Sequence, residues 1–87
     1  MTNVVLNRVC KVYNGNVLDK EIPCRLRKRE KREQQFSSFK SDYALYINKK
    51  SYNNIKRIQV EDNSYNVVSS LDLGTNGYVC LYCNREK

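Results

Sequence analysis

Histidine and tryptophan are absent from this 87-residue chain, and proline occurs once. Without histidine, the side chain that most often moves protons near neutral pH is missing, and so is the commonest metal ligand. The nine carboxylates are scattered along the sequence. No two of them share an apolar frame that would lift a carboxyl pKa toward a catalytic value. These absences point away from an enzyme and imply no cofactor. No apolar run is long enough to cross a bilayer, so no membrane partner is expected. The first residues, MTNVVL, lack the charged start, apolar stretch and small-residue cleavage site of a signal peptide. Synthesis in the cytoplasm is therefore the expectation. Acid is short relative to base: 16 Lys and Arg face 9 Asp and Glu, for a formal charge of +7.

What is present fits one domain spanning 1–87 with one small core. A domain this small buries only about 60% of its unfolded surface, and oligomerisation is a common remedy. The positive charge favours anionic partners, nucleic acid first among them. The plainer reading is a basic surface kept for solubility.

Apolar residues alternate over short distances. Residues 4–13 carry Val4, Val5, Val9 and Val12 and read as a first strand. Asn14 and Gly15 follow, a strong hairpin signal because both tolerate positive φ. A second strand spans 17–26, with Ile22, Cys24 and Leu26 on one face and Pro23, Arg25 and Arg27 on the other. Pro23 cannot donate to a ladder, which puts this stretch at an edge or beside a bulge. In 41–48, Tyr43, Leu45 and Ile47 share one face, and Ala44, Tyr46 and Asn48 the other. Residues 49–54 are turn-like, and 55–60 alternate again, with Ile58 and Val60 inward and Arg57 and Gln59 outward. A polar turn at 61–64 leads to a strand over 65–71, with Tyr65, Val67 and Leu71 on one face. A turn at 74–77 precedes the last strand, 78–83, and a charged tail closes the chain. This pattern predicts an all-β fold: a small six-stranded antiparallel barrel or sandwich with one long basic loop.

That loop is the one connection too long for a β-turn. Residues 25–35, RLRKREKREQQ, contain one apolar residue, Leu26. They are good helix formers, but no apolar stripe would hold a helix to the body. A long exposed loop over 28–40 is the expectation, with Phe36 and Phe39 pinning its far end. Arg25, Arg27, Lys28, Arg29, Lys31 and Arg32, with Lys40 beyond, concentrate positive charge there. Loops of this length are usually functional or disordered. Contact with a phosphate backbone fits the chemistry, because each neutralised phosphate adds salt-dependent, sequence-independent affinity. Base-specific readout is not expected, since no recognition helix accompanies the run. The bland alternative is a solvated loop.

The cysteines are Cys10, Cys24, Cys80 and Cys83. Cys80 and Cys83 have the spacing of half a zinc site, with Cys10 and Cys24 as the remaining candidates. Against a metal, Cys10 and Cys24 are far apart in sequence, no glycine follows Cys83, and residues 80 and 83 face opposite ways on a regular strand. Buried, reduced, apolar cysteines are the expectation, with no metal. Among the seven tyrosines, Tyr43, Tyr65 and Tyr78 have core parity, while Tyr46, Tyr52 and Tyr82 read as surface. Surface tyrosines serve base stacking or protein contact, and core plus interface is the preferred reading.

The order of these elements resembles a known group. A strand carrying IPCRLRKRE leads into the long polar loop, then SDYALYIN, then NIKRIQVEDNSYNVVSSLDL, and finally GYVCLYC. This is similar to the small head–tail connector proteins of tailed bacteriophages, called stopper, head-completion or minor capsid proteins. Residues 41–47 match that family's second strand element, and 58–68 its hairpin. The resemblance implies a homo-oligomeric ring in the virion neck, with a portal or adaptor protein above it. A tail-completion or tail-terminator protein would dock below, and double-stranded DNA would occupy the channel. The ring would close that channel after packaging, with the loop projecting into it. The alternative is a small monomeric nucleic-acid-binding β-barrel using the same basic run.

Overall fold

The computed structural model describes residues 5–32, 40–74 and 77–86. Phe36 and Phe39, Val4 and the centre of the 74–77 turn lie outside the described residues. Six strands form: β1 (Arg8–Asn14), β2 (Val17–Lys28), β3 (Tyr43–Asn48), β4 (Arg57–Val60), β5 (Asn63–Asp72) and β6 (Tyr78–Arg85). A 3-10 turn, Lys49–Ser51, follows β3. The strands pair antiparallel in the order β1-β2-β3-β6-β5-β4, and β4 pairs back onto β1. Of the two architectures the pattern allowed, the fold is therefore the closed barrel.

Period-2 alternation decides what fills the barrel. Cys10 and Val12, Ile22 and Cys24, Leu45 and Ile47, Ile58 and Val60, Tyr65, and Val79, Leu81 and Cys83 point inward as one core cluster. Ile55 joins it just ahead of β4, and Leu26, Tyr43, Tyr52 and Val67 pack against it. Tyr43 and Tyr65 meet edge to face with ring centroids 5.2 Å apart, a favoured aromatic geometry. Tyr52 therefore belongs with the core and not with the surface tyrosines. Its hydroxyl lies 3.1 Å from Ser70 Oγ.

Three local features depart from the sequence reading. First, the β1–β2 loop is Gly15 and Asn16, so the turn sits one residue later than expected. Gly15 takes φ 65 at the first loop position, a conformation glycine adopts without penalty. Second, the β5–β6 register shifts between Val67 and Ser69. A bulge adds one residue to one strand and reverses the facing of all that follows. Ser70 then stands opposite the interior Leu81, and Leu71 is turned out, 49% exposed, not inward beside Val67 as expected. Third, β2 continues to Lys28, because Arg25, Leu26, Arg27 and Lys28 pair with β3. The expected strand ends at Leu26; Arg27 and Lys28 extend it two residues into what charge makes look like loop. Pro23 lies in the part of β2 paired only with β1, consistent with the edge position its missing N–H requires.

Alternating strand direction sorts the connections onto two rims. Residues 29–32 and 40–42 and the turn at Glu61 and Asp62 lie on one rim. The turn at Gly15 and Asn16, residues 49–56, and Leu73, Gly74 and Gly77 lie on the other.

Candidate nucleic-acid interface

β2 sends alternate residues to the outside of the barrel. Arg25 stands opposite Tyr46, and Arg27 opposite Ala44, on β3. Tyr46 and Ala44 in turn stand opposite Cys80 and Tyr82 on β6. Ala44 and Cys80 are buried although they lie on the outer face. Both are short, so the long side chains beside them must cover them. Arg27 Cζ sits 6.0 Å from the Tyr46 ring centroid, and its Nη2 donates to the Tyr46 hydroxyl at 3.2 Å. Tyr46 thus backs one arginine and neighbours another. Burial, followed by the nearby Cys80, raises the Tyr82 pKa, so its phenol stays neutral.

Arg29 corrects the expectation of an exposed loop residue: it is only 6% exposed. Its Cζ lies 4.7 Å from the Tyr82 ring centroid. Its N–H donates to the Asp42 carbonyl at 2.7 Å, and Nη1 donates to the Ser41 carbonyl at 3.3 Å. Ser41 is itself buried, with its hydroxyl 2.8 Å from the Tyr43 carbonyl and 3.0 Å from that of Cys83. The Asp42 N–H donates to Asn84 Oδ1 at 2.8 Å, and Asn84 Nδ2 donates to the Lys40 carbonyl at 3.2 Å. Both feet of the β2–β3 connection are therefore fastened to each other and to β6. Sequence reasoning missed Ser41, Tyr82 and Asn84 as parts of this clasp. The outward parity of Tyr82 and Asn84, opposite the loop feet, was the available signal.

Above the clasp, Lys28, Glu30, Lys31, Arg32 and Lys40 are exposed, as is Arg25 on the wall below. The backbone at Lys31 and Arg32 is helical, where loop was expected. Among ion pairs between described residues, Arg8–Glu61 (2.7 Å), Lys49–Asp72 (2.8 Å) and Arg57–Glu86 (2.9 Å) neutralise cations elsewhere. The exposed Lys28, Lys31, Arg32 and Lys40 thus stand beside a hydrogen-bonded foot and next to the strand that carries Arg25 and Arg27.

The cysteines divide. Cys10, Cys24 and Cys83 face the interior, while Cys80 lies on the outer face. Among the described residues no three His, Cys, Asp or Glu side chains are grouped to hold a metal ion. Burial, with Cys80 nearby, pushes the Cys83 thiol up to about 12. Cys10 is also raised, first by its hydrogen bond with Cys24 and then by burial. Above the ordinary thiol value of 9.0 the unfolded chain loses a proton that folded Cys83 keeps. Its contribution is therefore complete below about pH 9 and is lost as pH rises through about 12. Urea midpoints at about pH 7 and about pH 10.5 should show the fall, and Cys83→Ala should lessen it. An equal fall in the variant would remove this thiol from the account.

Among the described residues no helix is long and apolar enough to cross a membrane. No protein-family model matches the chain, and no curated protein is significantly similar to it.

Proposed function

We propose that the chain is a structural subunit of a bacteriophage head–tail connector. It assembles with copies of itself into a ring below the portal or adaptor, closes the DNA channel after packaging and docks the tail. The observation that carries this reading is the clasp: the exposed Lys31, Arg32 and Lys40 stand beside a foot that hydrogen bonds fasten to one rim of a closed barrel. A ring would bring several such segments together around the channel axis. Phosphate contacts that are weak singly then sum to firm retention.

Replacing residues 30–39 by a short Gly/Ser linker, with Arg29 and Ser41 kept, tests the reading. Heads should package DNA and then leak it. Normally infectious particles would overturn the proposal. The arginine–tyrosine wall also supports the second reading, a monomeric nucleic-acid-binding barrel. The mass of the purified species separates the two, since only the first requires a ring.

A further inference from the structure

We infer that the outer face of β2 is a rail for adjacent phosphates of one nucleic-acid strand, with Arg25 and Arg27 as its contacts and Tyr46 as their support. The inference rests on the nucleic-acid contact proposed above and extends it from the β2–β3 connection to the barrel wall.

Geometry and side-chain chemistry carry it. Residues two apart on a strand share a face and lie about 6.7 Å apart. That step is comparable to the separation of neighbouring phosphates along one strand of nucleic acid. Arg25 and Arg27 occupy two such positions on β2. Arg25 is exposed, and the rail runs directly into the exposed Lys28 and the cationic connection beyond.

Tyr46 determines what the wall can read. It stands opposite Arg25 in the strand pair, with the Arg27 guanidinium near its ring and bonded to its hydroxyl. A ring with a guanidinium 6.0 Å from its centroid and bonded to its hydroxyl is a hindered platform for a base, whereas a planar guanidinium held by that bond is a good partner for phosphate oxygens. The wall therefore offers oriented charge and not open aromatic faces. Its ligand class is the phosphodiester backbone, bound without regard to sequence.

The test is the salt dependence of binding to a mixed-sequence duplex of about 20 base pairs. Arg25→Ala and Arg27→Ala should each lower the slope of log K against log salt by about 0.9, and the double variant by about twice that. Lys56→Ala, exposed and near the opposite rim, should leave the slope unchanged. Tyr46→Leu keeps every charge, so it should weaken binding a few-fold with little change of slope. A double variant with the parental slope, while Lys31→Ala and Arg32→Ala reduce theirs, would overturn the rail and leave the connection as the contact. Competition by poly-glutamate as effective as that by DNA of equal charge would also overturn it, in favour of an acidic protein surface. A parent chain that does not bind duplex at low salt would remove both the rail and the contact it rests on.

Discussion

An Arg29→Ala variant should unfold about 2–4 kcal/mol more easily than the parent, and protease should cut its β2–β3 connection faster. The magnitude follows from what the side chain does. A guanidinium over a tyrosine ring, shielded from water, contributes up to about 2 kcal/mol. A hydrogen bond from a charged donor to a carbonyl adds about 1.5–3 kcal/mol, and the buried stem adds packing. Relief from desolvating a cation offsets part of the sum. The variant also leaves the buried Ser41 foot without the Nη1 donor it now meets. Arg29→Lys should recover little, because a point-like ammonium cannot both lie flat on Tyr82 and reach the Ser41 carbonyl. Urea unfolding and timed proteolysis check both parts. A change below about 0.5 kcal/mol would mean that the clasp contributes nothing measurable.

Leu45→Ala should cost about 3–5 kcal/mol. Leu45 is fully buried on β3, between Leu26 of β2 and Leu81 of β6. These three leucines form one row across the barrel, and strands on both sides restrict collapse into the space left behind. An 87-residue domain has only about 4–13 kcal/mol to lose. The variant should therefore melt some 15–30 °C lower, or be partly unfolded at room temperature. Leu71→Ala is the matched control. The sequence alone would place Leu71 inside, but the bulge before it turns it out, so its loss should lie within about 0.5 kcal/mol. Equal losses at the two positions would contradict the register shift.

The strands were legible because alternation is a local signal. Ile22, Cys24 and Leu26, or Tyr43, Leu45 and Ile47, announce their inward face without help from distant residues. Closure was not legible, since the pairing of β1 with β4 joins residues such as Cys10 and Val60 that share no local cue. The bulge at Val68 escaped for a related reason. Val67, Val68 and Leu71 are all good strand residues, and only the partner strand shows which of them is extra. At the interface, the basic character of residues 25–32 was plain. Its division into wall, clasp and exposed segment was not, because it depends on contacts such as Arg27 with Tyr46 and Arg29 with Tyr82, which join residues far apart in sequence. No spacing rule connects residue 29 with residue 82.

The two unlike rims make the molecule vectorial. One end carries the clasped foot with Lys31, Arg32 and Lys40 and the acidic turn at Glu61 and Asp62; the other carries the hairpin tip at Gly15 and the Lys49 and Lys50 corner. Any column built from such units has a defined up and down, and the partner met at one pole cannot be exchanged for the partner met at the other. Directionality in an assembly of this kind therefore needs no extra domain to specify it; an even number of strands closing in alternating sense is enough.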